Sequence, residues 1–172
     1  LSPPRIRPMN LVIEETIEAP IQQVFELFTD LSHAADHVES IKTIEVIGKG
    51  PVGKGTRFRE TRIMFGKERT EEMEITSFDP PRSYRVEAMT CGAQFTTIYR
   101  FEGGQRETRV TMETCMKPVS LLSRVTGPLM GFMMKGSMRK MMSVDHADLK
   151  RVAEARAAES AAESASDEPA SE

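Results

Sequence analysis

Glu60 and Arg62 stand two apart in "TRFRETRIM", with Phe58 before them and Met64 after. In an extended strand, residues two apart share a face. A carboxylate and a guanidinium held beside apolar groups can do three kinds of work. They can pair with each other, or with Glu71 and Arg69 on the next segment, as a structural ion network. They can bind the polar head of a ligand. They can also move protons as an acid–base pair. An unpaired buried charge is strongly destabilising, so any interior member needs a partner. Thr97 and Tyr99 share one side of "AQFTTIYRFE", and Met112 and Thr114 share one side of "RETRVTMETCMK". A tyrosine hydroxyl in apolar surroundings either orients a ligand carbonyl or hydroxyl, or finds a protein partner and supports packing.

Other chemistry is poorly supported. His33 and His37 are four apart, a spacing that can reach one metal, but no third ligand joins them. Cys91 and Cys115 lack metal-ligand spacing and any flanking base that would activate a thiolate. With no secretory signal in view, two reduced thiols in the cytoplasm is the expectation. No Ser-His-Asp arrangement is evident, and "GKGPVGKG" reads as a hairpin turn rather than a phosphate-cradling loop. No catalytic residue, metal or cofactor is assigned from the sequence.

The elements that must position these residues follow a plain order. "NLVIEETI" has Leu11, Ile13 and Ile17 at period two and reads as a strand. In "APIQQVFELFTD", Ile21, Val24, Phe25 and Phe28 form one apolar face of a helix, with Pro20 in its first turn. Asp30 and Ser32 offer N-caps for a second short helix through about Val38. Six strands follow from Ile41, separated by turn-rich stretches such as "KGPVGKG", "DPPR" and "EGGQ". The connections are short, so neighbouring strands should pair antiparallel. Alternation then places Phe58, Glu60, Arg62 and Met64 on the inner face, and with them Arg69, Glu71, Met73 and Ile75. Phe95, Thr97, Tyr99 and Phe101 continue it, as do Val110, Met112, Thr114 and Met116. The two cysteines have the opposite parity.

The end of the chain reads as helix. "SLLSRVTGP" suggests a short helical turn that stops at Gly127, and Pro128 opens a main helix to about Ala157. "LMGFMMKGSMRKMM" places six of the chain's twelve methionines in fourteen residues. Met130, Met133, Met134, Met138, Met141 and Met142 fall on one half of that helix, with Lys135, Arg139 and Lys140 opposite. Such a stripe can be ordinary packing, since methionine fills irregular gaps. It can be the adaptable wall of a ligand cavity, or a membrane-surface face.

Charge narrows the partners. The net charge is −3, but the last fifteen residues carry −5 and the first eight carry +2, so the body from Met9 to Ala157 is neutral. Nucleic-acid binding needs a basic footprint, and none is present. No apolar run is long enough for a membrane-spanning helix. Residues 1–8 read as a disordered lead and 158–172 as a disordered acidic Ala/Ser/Glu tail, leaving one domain over 9–157.

The order β-α-α-β6-α, with "IEAPIQQVFELFTD", "VGKGTRFRETR" and "EEMEITSFDPPRSY", resembles the SRPBCC superfamily over about Met9 to Arg156. That group includes START-type lipid carriers, plant pathogenesis-related allergens and polyketide cyclase/dehydrase proteins. The resemblance implies an α+β helix-grip fold, with a curved seven-stranded antiparallel sheet around the long C-terminal helix and a cavity between them. Relatives often carry an aromatic, commonly tryptophan, where Phe58 stands. This chain has no tryptophan, which suggests a differently shaped pocket.

The expected function is binding or transport of a hydrophobic small molecule, lipid or polyketide-like, without nucleic acid or integral membrane association. Its expected wall is Phe58, Glu60, Arg62, Met73, Phe95, Thr97, Tyr99, Met112, Thr114, Met130, Met133 and Met134. The alternatives are a cyclase or dehydratase acting on an aromatic or polyketide substrate, and a macromolecular interaction protein whose cavity is filled.

Overall fold

The computed structural model describes residues 9–166 apart from 91 and 120, and the side chains of 9, 121–134 and 165 lie outside that description. Strand β1 (Met9–Ile17) is followed by helices α1 (Ile21–Thr29) and α2 (Ala34–His37). Strands β2 (Ile41–Ile47), β3 (Arg57–Met64), β4 (Lys67–Asp79), β5 (Ser83–Thr90), β6 (Ala93–Gly103) and β7 (Thr108–Pro118) come next, and helix α3 (Leu121–Ser166) ends the chain. The strands form one seven-stranded sheet in the order β1-β7-β6-β5-β4-β3-β2, antiparallel throughout. This is the helix-grip arrangement.

Two strands break register. β2 shifts against β3 between Ile41 and Thr43, and β4 shifts against β5 between Ile75 and Ser77. An extra residue on one strand bends it and increases its twist. These irregularities help the β2–β5 half of the sheet to curl.

Helix α1 plugs one end of the curl. Its apolar stripe of Val24, Phe25, Leu27 and Phe28 is buried, as the spacing predicts. Phe25 meets Phe101 edge-on at 5.2 Å and Phe78 at 5.4 Å, while Phe28 meets Phe101 at 5.4 Å. Ile17, Tyr84, Val110 and Ala153 complete this core. The chain's approach to α1 is pinned by the β6–β7 turn. Thr108 Oγ1 donates to the Ala19 carbonyl at 2.8 Å, and the Ile21 N–H donates to the Gly104 carbonyl at 2.9 Å. The second bond satisfies a donor that the first turn of a helix leaves open.

Three expectations need correction. α2 begins after His33, which makes no side-chain cap bond, so neither Asp30 nor Ser32 caps it. Asp30 instead holds the His33 ring at 2.8 Å. α3 runs unbroken through Gly127 and Pro128, so the two expected helices are one. A proline removes a single backbone donor, and a long helix can carry that loss. α3 also continues to Ser166, past the expected boundary at Ala157. Alanine and glutamate are strong helix formers, and extending an anchored helix requires no new nucleus. The expected lead over 1–8 and the end of the tail over 167–172 lie outside the described residues.

Thr108 is fully buried. Thr108→Val keeps its shape but leaves the Ala19 carbonyl without its donor, and should cost about 1–3 kcal/mol. Urea unfolding at constant m-value checks this.

Candidate functional site: a cavity between sheet and helix

A cavity of about 260 Å³ lies between the inner face of the sheet and α3, lined mostly by apolar side chains. Small-molecule pockets typically measure ~300–1,000 Å³, so it is compact. Phe58, Glu60, Arg62, Met73, Phe95, Thr97, Tyr99, Met112 and Thr114 all line it. These are the nine sheet residues of the expected wall; of the wider set assigned to the inner face, Arg69, Phe101, Val110 and Met116 do not line it. Of the methionine stripe, Met138 and Met142 line the cavity. Met138 is buried, while Lys135, Arg139 and Lys140 on the opposite face are exposed. The side chains of Met130, Met133 and Met134 lie outside the described residues.

Polar groups gather where β3 faces α3. Arg62 Nε lies 2.6 Å from Glu60 Oε1, and Arg62 Nη2 donates to Asp145 Oδ2 at 2.9 Å. The second Asp145 oxygen accepts from Ser40 Oγ at 2.7 Å. All three charged side chains are nearly buried, at 12–14 % exposure. The Arg69 expected beside them is exposed and takes no part. It sits opposite Arg62 in the register, where two guanidinium groups repel. Asp145 supplies the partner instead. Burial pushes the Glu60 carboxyl above its usual range; Arg62 opposes this, and Asp145 and Glu71 add to it.

An aromatic wall adjoins this cluster. Tyr84 and Tyr99 stack at 4.6 Å, and the Tyr84 hydroxyl donates to the Phe28 carbonyl at 3.2 Å. Thr97 and Thr114 hydroxyls bond each other at 3.0 Å. His146, on α3, stacks on Tyr99 at 6.1 Å and meets Phe28 edge-on at 5.6 Å. It is buried, and neither ring nitrogen has a hydrogen-bond partner. Burial lowers its pKa, with Asp145 and then Glu15 pulling the other way.

Asp145 and His146 are cavity residues that the sequence reading missed. A usable signal existed, since His146 follows Met138 and Met142 at four-residue steps, on the same helix face. His33 and His37 play other roles. His33 pairs with Asp30, and the His37 ring contacts Arg156 at 2.9 Å. Among the described residues no group of histidine, cysteine and carboxylate side chains could hold a metal. Cys115 is a free, half-buried thiol opposite Thr96 and Asn10 in the sheet, away from the inner face; Cys91 lies outside the described residues.

A curled antiparallel sheet closed by a long helix over an apolar hollow defines the helix-grip fold. The chain belongs to the family described as polyketide cyclase / dehydrase and lipid transport, which matches residues 10–154. No curated protein matches the sequence. Among solved structures, it is similar to the Zhui aromatase/cyclase from Streptomyces (16 % identity, TM-score 0.69, covering 87 % of this chain and 96 % of that one). Ginseng major latex-like protein 151 from Panax ginseng is similar at 11 % identity and TM-score 0.66, covering 85 % and 97 %. TTHA0849 from Thermus thermophilus is similar at 18 % identity and TM-score 0.59, covering 84 % and 99 %. At these identities the likeness is one of fold.

The lowered His146 pKa has a signed consequence. The unfolded histidine titrates near 6.5 and binds protons that the folded one refuses. Stability contributed by neutral His146 is therefore present above about pH 6.5 and is lost as pH falls below it toward the lower folded pKa. Glu60, raised in the fold, acts with the opposite sign above its ordinary range. His146→Phe should remove the histidine component, so the difference in melting temperature between wild type and variant should change between pH 7.5 and 5.5. Thermal melts across that range check this.

Proposed function

We propose that this protein binds a hydrophobic small molecule, lipid or polyketide-like, in the cavity between sheet and α3. The observation that carries this reading is the hollow itself. Protein interiors are close-packed and seldom leave voids larger than a water molecule. Here a pocket of about 260 Å³ lies between the inner strand faces and α3, lined mainly by apolar side chains. A few polar groups stand at one end, the usual make-up of a small-molecule site. The described side chains leave this space open, which favours a container over an interaction protein with a filled cavity. Phe58, Met73, Phe95, Met112, Met138 and Met142 supply the apolar wall. No helix among the described residues is long and apolar enough to cross a membrane.

One observation supports a second reading, a cyclase- or dehydratase-type enzyme. Glu60 lines the cavity with its carboxyl held above the ordinary range, as a proton donor needs to be. In that case Arg62 and Asp145 fix its position. Glu60→Gln separates the two readings: an enzyme loses turnover but keeps binding, whereas a carrier has no turnover to lose.

Ala88 lines the cavity from β5. Ala88→Trp should fill much of the space, keep the fold, and abolish ligand binding. Native mass spectrometry of protein purified from cells should show a copurifying small molecule on wild type and none on this variant. A bare wild type that also fails to bind any apolar probe in titration would count against the container reading.

A further inference from the structure

The polar end of the cavity carries more negative than positive charge. Among the described residues on its wall, Glu60, Glu71 and Asp145 are carboxylates and Arg62 is the only guanidinium or ammonium group. Arg62 is engaged on two sides, with Glu60 at 2.6 Å and Asp145 at 2.9 Å. A ligand carboxylate could claim it only by displacing one of these, leaving a buried charge unpaired.

Glu71 is placed differently. It stands directly opposite Glu60 in the β3–β4 register, and it raises the energy of a charge there. Among the described residues it has no hydrogen bond and no cationic partner, while its neighbours along β4 point to the same apolar space. Its oxygens are open acceptors on the wall. Two further groups share that space without partners. His146 is 3 % exposed and neither of its ring nitrogens is bonded. The Tyr99 hydroxyl also makes no hydrogen bond among the described residues. A neutral imidazole offers one acceptor and one donor, and a phenol can do both. The wall thus holds vacant acceptors and two neutral donors, one surplus carboxylate, and a single cation already flanked by two carboxylates.

We propose that the cavity selects compact, ring-bearing ligands whose head is a neutral or cationic hydrogen-bond donor, a hydroxyl or an amine, and rejects carboxylates, fatty acids among them. This rests on the container reading above. A hydroxyl or ammonium group donates to Glu71 or to the His146 nitrogen, and the ring lies against the apolar wall of Phe58, Met73 and Phe95. A carboxylate meets Glu71 with no cation between them, and like charges repel.

The test uses three probes that share one ring system: 2-naphthol, 2-naphthoate and 2-(aminomethyl)naphthalene, titrated calorimetrically into the full chain at neutral pH. The naphthol and the amine should bind, and naphthoate should bind at least about tenfold more weakly than either. Glu71→Gln should weaken the amine about tenfold and narrow the gap between naphthol and naphthoate. Equal or tighter binding of naphthoate to wild type would overturn the head-group proposal while leaving the container standing. So would a Glu71→Gln variant, folded by circular dichroism, with unchanged preferences. If none of the three probes binds and none shifts the melting temperature, the container reading falls and takes this proposal with it.

Discussion

Arg62 is the buried cation that ties the far side of the sheet to the helix. Glu60 and Arg62 belong to β3, and Asp145 belongs to α3, so the ion pair at 2.9 Å spans the hollow's boundary. On the near side the helix is held by Lys150 on Glu15 at 2.9 Å and by the Glu18 N–H on Glu154 Oε1 at 3.0 Å. At the far rim, the Glu39 N–H donates to Asp148 Oδ2 at 3.2 Å beside the Arg62 pair. Polar contacts at the rims and the packing of Ala153, Leu149 and Val152 against the core together set the position of the helix over the sheet.

This division of labour explains why the two ends of the interior differ. Beneath α1, phenylalanines interlock edge-to-face and the core is dense. Toward β3 and β4, aliphatic and thioether side chains line a void beside a charged cluster. Thioethers rotate freely and adapt their shape. Rigid packing at one end and an adaptable wall at the other let a single domain be both densely cored and hollow. The low identities to similar folds, 11–18 % in the three structures compared, fit a scaffold whose walls can be rewritten without loss of the frame.

Much of this was legible in the residues. Once Phe58 is placed inward, period two fixes Glu60 and Arg62, and short turns carry the assignment from β3 to β7. Each strand has only two faces, and that leaves little freedom. The helix was harder. Its stripe is plain, but nothing local says that Asp145 meets Arg62, because that contact joins elements 83 positions apart in sequence. His146 is a single polar residue among thioethers, and only its four-residue spacing from Met142 marks it as part of the stripe. Arg69 misled because parity says nothing about how far along a strand the cavity extends. The length of α3 was underread because its last turns carry no apolar face, while composition and continuity suffice to keep them helical.

Tyr84 and Tyr99, stacked at 4.6 Å on the cavity wall, are the chain's only tyrosines, and it contains no tryptophan. The near-ultraviolet emission of the whole molecule therefore originates at a single place. With the two rings this close and parallel, their excitations are coupled, and anything that settles beside them alters both. Filling of the proposed site should therefore register in the tyrosine emission, because those two side chains also line the cavity.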